Sequence, residues 1–399
     1  MKKVLFGPLV VVSLVLASCS EPSMNESIEI APTSSSSSFA GPSSGSSEGS
    51  SGGSSGGSSE VSSEVVERGR FNDGWALEFL PGTDFLLVSE RGGALQMLDV
   101  NSGDKVEIEN TPAVYSNGQA GMHDIVAGPT FENDGTVYLS WVRETADGPQ
   151  GVIGRGQLNT ETGSLEGFEE IWQQTPSSSD GHFSLRMHID DDYLYVTSGD
   201  RQAFDPAQET DTNLGAVLRL THDGQPAPGN PFAGQGGRSD EIYTMGHRNP
   251  LGIDTDLGGD LWVSEMGPKG GDELNHLVPG ENYGWPEASM GVHYDGADIP
   301  HHQEGDGFVP PAAYWVPSIS PGNLMIYKGQ LFDEWTGDAF LGGLSGKKIV
   351  RVELNGDQAQ SVEEWDMGNR IRALEEAPDG SIWILEDGQR GRLLEWRPE

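Results

Sequence analysis

Residues 264–285, SEMGPKGGDELNHLVPGENYGW, set four carboxylates (Glu265, Asp272, Glu273 and Glu281) among glycines and two aromatic residues, with no cysteine. Glycine tolerates positive φ and lets the chain turn carbonyl oxygens toward one point, while carboxylates add hard anionic oxygen. That donor set suits a hard cation such as Ca2+. Two further stretches, GDRQAFDPAQ (199–208) and MGHRNPLG (245–252), crowd polar residues into loops that follow predicted strands. Taken singly, His247 reads equally well as a satisfied structural histidine and Arg248 as a surface ion-pair residue. In GNRIR, Arg370 and Arg372 stand two apart on a predicted strand and so face one side. Planar guanidinium forks grip carboxylates in bidentate fashion, so the pair suits a polyanionic ligand unless it decorates an exposed edge strand. DTDLGGDLWVSE (254–265) partly matches a helix-flanked calcium loop, but Gly258 stands at its fifth position and its flanks are strand-like. A hairpin turn is the better expectation there.

The elements that must position these residues recur along the chain. An apolar run, a turn rich in Gly and Asp, and an alternating run with an aromatic residue appear six times: WALEFLPGTDFLLVSERGG, DIVAGPTFENDGTVYLSWV, LRMHIDDDYLYVTSGD, PLGIDTDLGGDLWVSEMG, LMIYKGQLFDEWTGDAFLGGLSG and IRALEEAPDGSIWILEDGQRG. Each reads as a β-hairpin, because period-two alternation brackets a turn. Regular hairpin units with almost no amphipathic helix between them predict an all-β, six-bladed β-propeller, with a two-sheet sandwich as the alternative. Long loops are expected after the third, fourth and fifth copies, gathered at one end of the central channel.

The first 64 of the 399 residues stand apart from this pattern. Lys2 and Lys3, the apolar run from Val4 to Leu16 and the following LASCS have the form of an export signal over 1–18. Cys19, the single cysteine, sits where bacterial lipoproteins carry their lipidated residue; an ordinary signal peptide with an incidental cysteine is the alternative. Residues 19–64 are mostly Ser and Gly and read as a disordered tether reaching roughly 35–40 Å, with the propeller over 65–399. The expected location is lipid-anchored outside the cytoplasm, on the periplasmic side of an outer membrane or at the cell surface. A net charge of −39 argues against nucleic acid and against adhesion to anionic lipid, so the membrane would be held through the lipid alone.

The ordered motifs HFSLR, SGDR…DPAQ, LGAVLRLTHDGQPAPGNPF, EIYTMGHRNPLGI, SEMGPKGGDELNHLVPGENYGWP and GNRIRAL resemble the soluble quinoprotein glucose and aldose sugar dehydrogenase family. These are six-bladed propellers that use pyrroloquinoline quinone (PQQ) and Ca2+. The resemblance spans roughly 70–397 and is nearer the aldose branch. It implies that His182 is the catalytic base, that Gln119 lies at the cofactor and substrate pocket, and that Arg248 and Asn249 neighbour the cofactor, Arg248 also stabilising negative charge in the reaction. It further implies Tyr294 as a cofactor contact and Arg370 and Arg372 as holders of the cofactor carboxylates. The Gly267 and Pro268 carbonyls would hold the cofactor-bound Ca2+, and Glu273 with the Tyr283 carbonyl a further Ca2+. The implied reaction oxidises an aldose at the anomeric carbon to a lactone and passes electrons to an acceptor of unspecified identity, in a monomer or homodimer. Two departures stand out. Ser184-Leu185 replace the family's usual Gly-Gly, which predicts a narrower pocket wall, and Ser345 replaces a usual cofactor-binding lysine. Lys347, on the same side as Ser345 if the segment is a strand, is the candidate substitute, whereas Lys348 would point away. A Ca2+-dependent lactonase and a cofactor-free glycan- or protein-binding propeller are the competing functions.

Overall fold

The computed structural model describes residues 63–398 apart from Ser178. The export signal, Cys19 and all but the last two residues of the tether therefore lie outside the described residues. Six four-stranded antiparallel sheets form six blades. The inner strands are Gly74–Phe79, Met122–Ala127, Ser184–Ile189, Pro250–Thr255, Pro321–Ile326 and Ile371–Glu376. Each pairs with a second strand: Phe85–Glu90, Thr136–Thr145, Leu194–Ser198, Leu261–Glu265, Ala339–Gly343 and Ile382–Glu386. The six repeated hairpins are these inner pairs. Segment 254–265 is a hairpin, its Asp256 Oδ1 accepting from the Gly258 and Asp260 backbone N–H groups.

The ring closes by joining the two ends of the propeller. Ser63–Phe71 is the outermost strand of blade six, antiparallel to Gly391–Pro398. Among the described residues the propeller thus includes Ser63 and Glu64, which the sequence pattern places in the tether. Closure in this way completes the fourth strand of blade six from the opposite end of the propeller.

Apolar residues of each blade face pack against the next blade, as the stacked Phe332 and Trp335 do among Phe340, Trp365 and Trp396. Carboxylates and hydroxyls tie neighbouring inner strands together. Glu78 Oε1 accepts from Ala127 N, Asp124 Oδ2 from Met187 N and Asp254 Oδ2 from Ile326 N. Ser89 and Ser140 donate to the carbonyls of His123 and Leu185 in the following blade. Across the channel centre lies Arg186, donating to Asp124 Oδ1 and to the carbonyls of Leu251 and Gly322. Its guanidinium sits 3.9 Å over the Trp75 ring. It separates a far cavity of about 430 Å³ from the end that carries the site.

In every blade the register shifts within the first residues of the inner strand. Such bulges re-aim side chains, and all six lie at the same end of the channel. Loops 199–215 and 266–271 also sit there, and 277–312 climbs to it along blade three, with Tyr283 N donating to Met245 O. The fifth copy departs from expectation. Its long excursion, 327–338, joins the inner to the second strand and lies at the opposite end, where Lys328 borders the far cavity.

Candidate active site

The turn that follows the second strand does the same work in several blades. It places Arg91 in blade one, Asp200 in blade three, Gly267 in blade four, Leu344 and Ser345 in blade five and Asp387 in blade six at one mouth. A cavity of about 330 Å³ opens there, lined among others by Trp75, Gln119, His123, Ser184, Asn249 and the pair Arg370 and Arg372.

His182 is buried beside this cavity at φ 48°. Its Nδ1 is 2.6 Å from Asp200 Oδ1, and its backbone N donates to Gln119 Oε1 at 2.8 Å. Asp200 is wholly buried and also accepts from Trp285 Nε1 at 2.8 Å and from the Gln202 backbone N. With Nδ1 donating to Asp200, Nε2 is left as the lone-pair nitrogen, the form a general base needs. Burial holds the His182 pKa below its ordinary value; Asp200 opposes this, and Arg248 and Arg201 add to it. The ring is therefore neutral near pH 7. Gly199 makes the contact possible, because a Cβ there would meet His182 O at 2.1 Å.

Ser184 and Leu185 have φ 59° and 67°, the left-handed region where glycine is unstrained, so the physical role of Gly-Gly at this place is backbone conformation. The expected narrowing applies to Ser184 alone, which lines the cavity and donates to Asn249 Oδ1. Leu185 turns into the core between blades two and three and does not reach the mouth.

Arg370 and Arg372 meet as expected, both donating to Asp387, the first through Nε at 2.6 Å and the second through Nη2 at 3.0 Å. Arg248 donates through Nη1 to the Met266 and Gly267 carbonyls, while its buried Nε has no partner among the described residues. Its guanidinium lies 5.1 Å from the Trp285 ring and 5.8 Å from the ring of Tyr294, which is 72% exposed. At blade five, Ser345 Oγ bonds Ser320 Oγ. The lysine expectation there is corrected: 344–347 is a turn, with Lys347 at φ 52°, and Lys348 is paired with Glu364. Neither lysine lines the cavity.

Glu273 and Tyr283 line a second, smaller recess with Glu265, Gly246, Gly267 and Gly271. Its volume, about 10 Å³, admits one water-sized particle. Burial and the adjacent Glu265 push the Glu273 carboxyl well above the usual range. The Tyr283 hydroxyl is committed, donating to His276 O and accepting from Val278 N, so only its carbonyl is left for a ligand. Among the described residues no three acidic or histidine side chains converge as a metal cage. A cation here would need carbonyl oxygens as well as the carboxylates. Gly267 O already accepts from Arg248, and Pro268 is buried beside it. His247 is structural, wedged between Thr244 Oγ1 and Glu265 Oε1.

The SGDR motif gives Asp200 no role by itself, and no motif marks Arg91, Asp387, Trp75, His123 or Trp285 as residues of the mouth. A carboxylate a fixed turn away from a candidate base was the available signal for Asp200.

The model of the glucose/sorbosone dehydrogenase family matches residues 71–395. The chain is 34% identical to the aldose sugar dehydrogenase YliI of Escherichia coli strain K12, over 81% of this chain and 90% of that protein. It is 27% identical to quinoprotein glucose dehydrogenase B of Acinetobacter calcoaceticus, over 78% of this chain and 82% of that one. The apo soluble aldose sugar dehydrogenase of Escherichia coli superposes with a TM-score of 0.81 at 32% identity, covering 85% of this chain and all (100%) of that one. The PQQ-bound aldose sugar dehydrogenase of Streptomyces coelicolor does so at 0.70 and 28% identity, covering 84% and 98%. Family match, fold and mouth agree, and the chain belongs to the glucose/sorbosone dehydrogenase family of sugar oxidoreductases.

Proposed function

We propose that the chain oxidises aldoses at the anomeric carbon to lactones, with PQQ and Ca2+ bound in the mouth. The observation that carries this reading is the buried His182–Asp200 pair set beside a cavity walled by guanidinium groups, in a molecule of net charge −39. The residues fit both groups. PQQ bears three carboxylates, and Arg370 and Arg372 present forks that suit them. The one-particle recess beside two buried carboxylates suits the further Ca2+ expected at Glu273 and Tyr283, while the Gly267 and Pro268 carbonyls are the donors proposed for the Ca2+ at the cofactor. When bound, PQQ would accept the hydride and Ca2+ would polarise its carbonyl.

The chain's own groups do the rest. His182 Nε2 takes the proton of the anomeric hydroxyl as the C–H hydride leaves that carbon. Asp200 fixes the tautomer and stabilises the imidazolium that forms. Arg248, anchored on two carbonyls and with a free Nε, holds positive charge against the growing negative charge. Asn249 lines the cavity, and the Tyr294 ring faces Arg248 from the solvent side.

The test is dye reduction by the purified chain with Ca2+, PQQ and a panel of aldoses, alongside lactone hydrolysis without PQQ. His182→Ala should bind PQQ yet lose most turnover; near-normal turnover would remove His182 from the role. Hydrolysis without PQQ, and no oxidation with it, would favour the lactonase reading. We also propose export and lipidation at Cys19, tested by radiolabelled-palmitate incorporation that Cys19→Ser should abolish.

A further inference from the structure

The mouth holds one cation more than the sequence motifs assign to it. Arg91 follows the second strand of blade one, the place that Leu344 and Ser345 occupy in blade five. Its stem passes where Gly121 has no side chain, since a Cβ there would lie 2.3 Å from Arg91 Cγ. Its Nη1 donates to Gly118 O at 2.6 Å, and Nη2 is 3.7 Å from Asp73 Oδ2. Arg91 lines the same cavity as Arg370 and Arg372, and its charge is felt at Arg372. Three guanidinium groups therefore face two carboxylates, Asp73 and Asp387, across this wall. His123, also in the lining, adds no charge, because burial lowers its pKa to about 3.

We infer that Arg91 is a third anchor for the cofactor carboxylates, supplying from blade one the positive charge that Ser345 lacks in blade five. Three forks would then meet three carboxylates, and the wall keeps a net positive charge for the ligand after its own acids are paired. This rests on the PQQ reading above. Arg91 as a mere brace for the Gly118 turn is the competing role, and the two differ in what they ask of the ligand.

The full chain, loaded with Ca2+, is titrated calorimetrically with PQQ and with its trimethyl ester, which has the same rings but no carboxylate charge. Arg91→Gln should raise the Kd for PQQ about 10- to 100-fold, as the loss of a charged hydrogen bond does, while changing the Kd for the ester less than twofold. Arg91→Lys should recover part of the loss, and the salt dependence of PQQ binding should flatten in Arg91→Gln. A PQQ Kd within twofold of the unsubstituted protein would overturn the inference, as would an equal loss for the ester, which marks a brace. If Arg91→Gln lowers the unfolding midpoint, the Arg91→Lys titration decides, a Kd no better than that of Arg91→Gln going against the inference. No PQQ uptake by the unsubstituted protein would overturn the cofactor reading and this inference with it.

Discussion

Asp200→Asn separates the proposed chemistry from binding and from folding. Asp200 accepts from three donors, His182 Nδ1, Trp285 Nε1 and Gln202 N. An asparagine offers one acceptor oxygen: with it in the Oδ2 place the N–H2 turns on His182 and Gln202, with it in the Oδ1 place on Trp285 Nε1, and both remove the charge that stabilises the imidazolium. General bases contribute about 10²–10⁴-fold, and the same substitution in a Ser-His-Asp triad costs about 10⁴-fold. We therefore expect kcat to fall about 10²–10⁴-fold, with PQQ affinity changed less than about threefold because Asp200 lies outside the cofactor cavity. The pH profile carries the sharper sign. His182 must be neutral to act, so activity falls as pH drops through its pKa, which burial already holds below the ordinary value. Asp200 is the group that raises that pKa, against Arg248 and Arg201. Removing it should move the acid limb to lower pH even as the plateau collapses. Steady-state rates from pH 4.5 to 8 test this, and a kcat within about fivefold of normal, or an acid limb moved upward, would refute the reasoning.

Three further outcomes follow from the scaffold. Arg186→Met leaves Asp124 buried without its cation and three channel carbonyls without a donor, and should cost about 3–5 kcal/mol in urea unfolding. Ser184→Val puts a β-branched residue at φ 59° and should destabilise by about 1–3 kcal/mol, whereas Ser184→Gly should stay within about 1 kcal/mol of the parent. Glu78 is pushed up to about 8, first by burial and then by Asp124, so the folded chain keeps a proton there that the unfolded chain loses near the ordinary value. Its contribution to stability is then lost as pH rises toward 8, and Glu78→Gln should gain about 1–2 kcal/mol relative to the parent between pH 5 and 9, the channel water screening the rest. A difference that does not change with pH would contradict this.

The ring itself was legible, because each inner hairpin is a pair of short, largely apolar runs bracketing a Gly- and Asp-rich turn, as strands buried against both neighbouring blades require. The six repeats coincide with the six inner strand pairs, and WALEFLPGTDFLLVSERGG even ends on the turn that delivers Arg91. Closure by Ser63–Phe71 was not legible, since a strand whose partner lies more than three hundred residues away leaves no local signature. His182, Arg370 and Arg372 were legible as residues of the mouth because the motifs that carry them themselves reach it. Asp200 and Arg91 are not marked in this way, because their place at the mouth is set by the turn after a second strand meeting a neighbouring blade. Lys347 could stand in for the family lysine only in a strand, and the left-handed turn at φ 52° removes the alternation that this requires. Ser184 and Leu185 likewise look like a change of pocket volume in the sequence, whereas their φ values show a change in backbone strain.

The most direct measurement is an anaerobic single turnover of the Ca2+- and PQQ-loaded chain with an aldose, following the quinone absorbance and the sugar product together. The proposed site predicts one lactone formed per PQQ reduced, and no reduction in His182→Ala although PQQ stays bound. PQQ that remains oxidised in the unsubstituted chain with every aldose tried would contradict it.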